Sequence, residues 1–237
     1  MLGPEIETFR GNKIIMGVVV ILALGAAWLV YVAFTANPRD SGFKTLSLVL
    51  LALPVLVFLW LRSIQVTLHS DGISYRSLFG EKEMRWDAVE RFHYAATTRS
   101  VNFIPIGTYY EFKFVDSEGK KLRWGNRVER PGKLGPQLVE YSYPALFKKV
   151  ADRYNCGMEV DFGAIRVKRD TGIRVKKFFG NKEIPWDQVS SFAIQSGHFY
   201  IWRKGEKRTT GPLLRHVPNA FVLQGLLNSI FKPGTAS

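Results

Sequence analysis

Gly72 to Phe92 reads GISYRSLFGEKEMRWDAVERF, and Gly172 to Phe192 reads GIRVKKFFGNKEIPWDQVSSF. The two stretches align without a gap at an offset of 100, and ten of their 21 positions are identical, including a Trp-Asp pair. Chance does not produce such a match. The period is too long for a solenoid, whose units run to about 20–50 residues. It implies two copies of one domain of about 80–100 residues, within the ordinary domain range.

Working outward, each copy follows one plan. An alternating stretch comes first, Ile64–Leu68 (IQVTL) or Ala164–Lys168 (AIRVK). A turn at Asp71-Gly72, or between Asp170 and Gly172, leads into the next strand, as hairpin chemistry expects. Phe79-Gly80 and Phe179-Gly180 mark a second turn, with Gly80 and Gly180 as its formers. Trp86-Asp87 and Trp186-Asp187 close the block, the tryptophans as core anchors and the aspartates as caps of short helical turns. Asp87 and Glu90 resemble a capping box. Further hairpins turn at Glu118-Gly119 within Tyr110–Trp124 and at Lys204-Gly205 within Phe199–Arg208. Each copy ends in an amphipathic helix, Tyr143–Tyr154 or Pro218–Phe231, the second with Leu223, Leu226, Leu227 and Ile230 on one face.

Several strands followed by one helix at this length resemble the pleckstrin-homology-like (PH-like) fold. The shared block G-I-x-x-x-x-x-F-G-x-K-E-x-x-W-D-x-V is similar to the bacterial PH-like families of small membrane proteins with an N-terminal helical hairpin. The likeness covers roughly residues 62–232, twice over, although copy one has a longer stretch between Phe92 and Tyr110. It implies tandem, partly open barrels or sheets that bind or scaffold, and it names no ligand.

Upstream lie two apolar runs. Ile14 to Ala36 (IIMGVVVILALGAAWLVYVAFTA) holds 23 residues without a charge, where a bilayer core needs about 20. Trp28 and Tyr31 suit an interface, and Gly17, Gly25, Ala26 and Ala27 suit close helix approach. The second run is Leu46–Leu61, or residues 43–61 with Lys44 snorkelling; Pro54 interrupts it, which membrane helices tolerate. The first run is too long for the apolar part of a usual signal peptide. The expected layout is a tail at 1–13, a transmembrane helical hairpin at 14–61 with a polar turn Asn37–Gly42, PH-like domains at 62–156 and 157–232, and a tail at 233–237. The fold class is thus a two-helix membrane hairpin with mainly-β, α+β domains.

Residues 62–237 hold 29 Lys/Arg and 17 Asp/Glu, about +12 of the chain's +13. Such an excess beside an anionic leaflet is worth roughly 1 kcal/mol per basic residue near the surface. Cys156 is the sole cysteine, so no intrachain disulfide exists, which favours a reducing compartment. Flanking charges are nearly balanced: Arg10, Lys13 and Arg62 against Arg39 and Lys44. With the thiol and the basic domain, they point to a multi-pass inner or plasma membrane protein with cytoplasmic domains.

No catalytic motif is present, so no enzyme activity, cofactor or metal is expected. His69, His93, His198 and His216 are dispersed without ligand spacing. The cluster suited to function is Arg166, Lys168, Arg169, Arg174, Lys176 and Lys177, on two strands and their turn. Eukaryotic PH domains place lipid-binding residues on their first two strands, so the placement is similar. A solvated outer hairpin face is the alternative. The basic loop Arg123–Lys133 is a second candidate. The expected function is a membrane-anchored, non-enzymatic binding protein that engages anionic headgroups or a membrane-protein partner. The alternative is an accessory subunit of a larger membrane complex. No stacking pattern of a nucleic-acid module is present.

Overall fold

The computed structural model describes residues 2–36, 41–101, 104–176, 180–206 and 211–231, without the side chains of residues 36, 99–101 and 104–106. The expected turn at Asn37–Gly42 therefore lies largely outside the described residues. Two long helices rise from antiparallel sheets, with helix α1 at Lys13–Ala36 and α2 at Ser41–Ser63. Both are long and apolar enough to cross a membrane. Pro54 sits inside α2 without ending it. Ala26, Ala33 and Ser47 are buried, on the faces where the two helices pack together. Gly17 and Gly25 have open space where a side chain would stand, and Ala27 is exposed, so these three do not mediate that packing.

The sheets start before the helices. Residues 5–10, expected above to be part of a tail, form strand β1 (Glu5–Arg10). This strand pairs antiparallel with β2 (Gln65–His69), which follows α2. Phe9, opposite Val66, is 1% exposed, and burying such a ring is worth about 1.5–3 kcal/mol. Strands β3 (Gly72–Ser77) and β4 (Gly80–Arg85) complete a sheet of order β1-β2-β3-β4. The helical hairpin is thus an insertion between the first two strands of this sheet.

A three-stranded sheet follows, made of β5 (Val89–Val101), β6 (Ile104–Asp116) and β7 (Lys121–Gly125). The long stretch between Phe92 and Tyr110 is one extended hairpin rather than an added strand. Phe92 and Phe114 stack at 4.2 Å, and Trp86, Phe112 and Trp124 pack around them. Helix α3 (Pro131–Asn155) covers the sheet and is longer than the expected Tyr143–Tyr154.

A second unit with shorter strands follows α3. Strands β8 (Val160–Phe162), β9 (Ile165–Lys168), β10 (Gly172–Lys176) and β11 (Asn181–Ile184) form a sheet, and β12 (Val189–Gln195) pairs with β13 (His198–Arg203). The β12–β13 turn puts Ser196 and Gly197 at positive φ, as a two-residue hairpin of type I′ demands. Leu213 bridges to His198, so residues 211–213 run beside β13. Helix α4 (Ala220–Phe231) closes the unit and packs on α3. Among the described residues no sheet closes into a barrel.

Buried Asn219 joins the two units. Its amide oxygen accepts from the Phe92 backbone N–H at 2.7 Å, and its amide nitrogen donates to the Glu90 carbonyl at 2.8 Å. Both contacts fall on the bulged start of β5.

Candidate functional site at the base of the helical hairpin

The register places four residues in one row across the first sheet: Arg10, Gln65, Arg76 and Glu81. Both helices leave from this end. Gly11 stands so close to the Leu61 carbonyl that a Cβ would lie 2.1 Å from its oxygen. Only glycine lets the two ends of the hairpin meet this tightly. Asn12 caps α1 by accepting from the Ile14 N–H at 2.9 Å. Its own amide nitrogen donates to the Asn126 carbonyl, and its backbone N–H to the Arg127 carbonyl at 2.7 Å.

The expected basic loop Arg123–Lys133 is therefore seated at the hairpin base. It comprises the end of β7, a turn tied to β1 through the Gly11–Val128 bridge, and the start of α3. Asn126 anchors the turn to β6, accepting from the Tyr110 N–H and donating to the Thr108 carbonyl. The Arg127 guanidinium lies over the Trp60 ring, 4.8 Å from its centroid. Such a cation–π contact fixes the side chain without neutralising it. Arg123 pairs with Glu111 at 2.8 Å. Between them opens a cleft of about 500 Å³, lined by Ile15, Tyr109, Glu111, Arg123, Asn126 and Arg127 among others. The neighbouring Tyr75 hydroxyl is pushed up by burial, against the opposing pull of Arg127.

Lys13 and Arg130 share Glu129, at 3.8 and 3.7 Å. Arg10, Arg62, Arg76 and Arg127 are exposed. Among the described residues none of these four has a carboxylate within 4.0 Å. The hairpin base thus carries a ring of unpaired positive charge.

The expected cluster on the second unit is arranged differently. One row across that sheet reads Asp161, Arg166, Arg174, Glu183. Glu159 bridges both arginines, at 3.2 Å to Arg166 and 3.4 Å to Arg174, while Glu183 meets Arg174 at 3.0 Å. Two guanidinium groups thus share three carboxylates. Arg169 donates to the Asn155 carbonyl, Lys168 is half-buried, Lys176 is exposed, and Lys177 lies outside the described residues. Because β8 precedes β9, the cluster occupies the second and third strands of its sheet, not the first two.

The repeated Trp-Asp pair also diverges. Trp86 is buried, whereas Trp186 is half-buried and donates its indole N–H to the Arg169 carbonyl at 2.7 Å. Neither aspartate caps a helix. Asp87 accepts two hydrogen bonds from Arg85, and Glu90 pairs with Lys149 and Arg153 instead of closing a capping box. Asp187 lies inside a short 3-10 turn whose N-cap is Pro185, with no side-chain cap. At Asp87 the competing partner wins because Arg85 offers a charge-assisted, bidentate bond. Gly80 and Gly180 both take positive φ at their turns. Phe179 lies outside the described residues.

His69 approaches Ser74, His93 the Arg215 carbonyl, His198 the Ser196 carbonyl and His216 the Arg215 guanidinium. Burial holds His93 below the usual histidine value. Among the described residues no three His, Cys, Asp or Glu side chains converge as a metal site.

A family described as "Family of unknown function (DUF6585)" matches residues 1–234, nearly the whole chain. The chain belongs to DUF6585. The match spans the strand before the hairpin, both long helices and both sheet units, so this DUF6585 architecture is one continuous unit of family resemblance. No curated protein matches the chain.

Proposed function

We propose that this DUF6585 protein is a membrane-anchored, non-enzymatic binding module that holds tandem PH-like units against a leaflet and engages anionic lipid headgroups. The observation that carries the reading is the ring of Arg10, Arg62, Arg76 and Arg127 at the base of two apolar helices, unpaired while the Arg166–Arg174 face is paired internally. Four strands, then three, then a helix, in the first unit, support the PH-like reading. The reading includes helices that span the inner or plasma membrane twice and domains on the cytoplasmic side. The flanking charges are nearly balanced under the positive-inside rule, and the single cysteine with the basic domain favours that side. An anionic leaflet would then meet the arginine ring, at roughly 1 kcal/mol per residue near the surface.

The test compares the full chain with a variant carrying Arg10→Gln, Arg62→Gln, Arg76→Gln and Arg127→Gln, both extracted in a gentle detergent. Wild-type protein retains anionic phospholipid above its share in the source membrane, and the variant falls back to that share. Bulk lipid proportions in both overturn the lipid reading, and a stoichiometric protein companion would replace it with the accessory-subunit reading. For sidedness, a cysteine at Ser41 labels from outside intact cells and one at Ser237 does not; the reverse pattern places the domains outside.

A further inference from the structure

The β3–β4 hairpin ends in two large apolar side chains that the described residues leave exposed. Ser77 pairs with Gly80, so Leu78 and Phe79 form the whole turn. Leu78 is 56% exposed and Phe79 is 90% exposed. The backbone beneath them is held, with the Phe79 N–H donating to the Ser77 hydroxyl and Gly80 taking φ +104°. A soluble hairpin tip of this kind ordinarily carries Asn, Asp, Gly or Ser. Among exposed apolar residues outside the long helices, Phe79 is by far the most open.

Register decides what the tip meets. Gln65, two residues after the end of α2, pairs with Arg76. Continuing that register one step places Ser77 level with Ile64, and the turn beyond it level with Ser63, the last residue of α2. Strand β1 ends on the same row, with α1 starting three residues later. The tip therefore projects past the sheet on the side from which both apolar helices depart. Helix residues such as Leu48, Val49, Leu53 and Leu56 are exposed, so α2 extends away from the sheet rather than folding over it. Arg62 and Arg76 flank the tip, as basic residues flank apolar side chains that enter an interface.

We infer that Leu78 and Phe79 insert into the bilayer that holds α1 and α2, a third point of membrane contact that fixes the tilt of the first sheet on the leaflet. The occupant is the acyl–headgroup boundary of that same membrane. This rests on the reading that the two helices span a membrane. A hinge at the Gly11–Leu61 contact alone would leave the sheet free to rock; a third contact removes that freedom. The second unit carries Phe178 and Phe179 at the matching positions, and those two lie outside the described residues.

The experiment places an environment-sensitive fluorophore on single cysteines in a Cys156→Ser background of the full chain, reconstituted in vesicles of phosphatidylcholine and phosphatidylglycerol. Labels go at Phe79→Cys, at Asp71→Cys in the β2–β3 turn at the opposite end of the sheet, and at Leu53→Cys within α2. Emission from position 79 shifts to the blue and is quenched by lipids carrying a shallow spin label. Position 71 shows neither effect, and position 53 is quenched most by a deep label. Quenching at 53 but not at 79 overturns the wedge alone. No quenching at 53 overturns the membrane-spanning reading beneath it. Quenching at 71 equal to that at 79 shows non-specific adsorption and also overturns the wedge.

Discussion

The two four-stranded sheets differ most at the loop joining their first two strands. In the second unit β8 reaches β9 through Gly163 and Ala164 alone. In the first unit β1 reaches β2 through 54 residues that include both long helices. The sheets are otherwise laid out alike, and their shared block is identical at ten of 21 positions. A hairpin tip accepts such an insertion because its ends are already adjacent, and closure entropy grows only with the logarithm of loop length. The helical hairpin is thus attached by the sheet itself: two chain crossings enter it, and the strand pair β1–β2 holds them side by side.

Removing the insertion is the strongest way to break this equivalence. Replacing Gly11–Ile64 with a Gly-Ala turn makes the first sheet a copy of the second. The resulting chain moves from the membrane fraction to the supernatant and keeps, by circular dichroism, its strand signal and the helix signal of α3 and α4, while that of α1 and α2 is lost. If it aggregates without folding, the helices are part of the fold rather than an insertion into it.

A smaller perturbation asks whether β1 and β8 are equivalent in energy. Phe9 and Phe162 are both fully buried on first strands. Phe9→Ala and Phe162→Ala should each cost about 3–5 kcal/mol, the usual loss for a buried ring, read from urea unfolding of the full chain in micelles. A silent Phe9→Ala would show that β1 is not held by the sheet.

How much of this was legible in sequence follows the range of the interactions. The repeat located the β3–β4 and β10–β11 hairpins because turn glycines and alternation are local signals. The two apolar helices were legible for the same reason. Strand β1 was not, since Glu5–Arg10 has only Ile6 and Phe9 as apolar residues and these do not alternate. The 54 residues between it and its partner strand include both helices. The charge map failed likewise. Arg166 and Arg174 read as an open basic face, yet Glu159 and Asp161 come to them from β8 and its approach, and Glu183 from β11. The basic loop at Arg123–Lys133 was legible as a composition, but only the tertiary contact of Arg127 with Trp60 places it beside the helices.

The matching rows of the two sheets carry this difference further. Where the second unit has Asp161, Arg166, Arg174 and Glu183, the first has Thr8, Thr67, Ser74 and Glu83. The Thr8 and Thr67 hydroxyls lie 3.0 Å apart. Exposed ion pairs are worth little, about 0–1 kcal/mol, so the charged row adds little stability. Glu159→Gln should leave urea stability within about 1 kcal/mol while freeing both arginines. Added binding of the variant to anionic vesicles, at low salt and relative to wild type, would show that Glu159 masks a lipid surface. Unchanged binding assigns the row to the fold alone.

The unit junction gives an effect of similar size. Asn219 meets two buried backbone groups at the start of β5, and its own φ is +55°. Asn219→Gly keeps that conformation accessible and removes both bonds, so a loss of about 1–3 kcal/mol measures the unpaired groups. A loss below that range would mean that water replaces the side chain and that the remaining contacts, among them α3–α4 packing, the Asn219 N–H to the Phe92 carbonyl and the Arg91–Asp161 pair, hold the units together.

The smallest expected effect separates the two first strands by pH. Glu7 on β1 accepts from Lys133 and Gln137 of α3. These bonds, with the Lys133 hydrogen bond as the largest cause, hold its carboxyl below the ordinary 4.5. A depressed folded pKa stabilises above the unfolded value, and that contribution is lost as pH falls through the folded one. The tie between β1 and α3 is therefore intact at pH 7 and weakens below about 4.5, where the unfolded carboxyl begins to protonate. Hydrogen exchange at the β1 amides, corrected for intrinsic rates, should lose protection over that interval in wild type. In Glu7→Gln the protection is lower at pH 7 and flat across the interval. Equal profiles in the two proteins would mean that β1 is held by its pairing with β2 and by Phe9 alone, as β8 is held by β9 and Phe162.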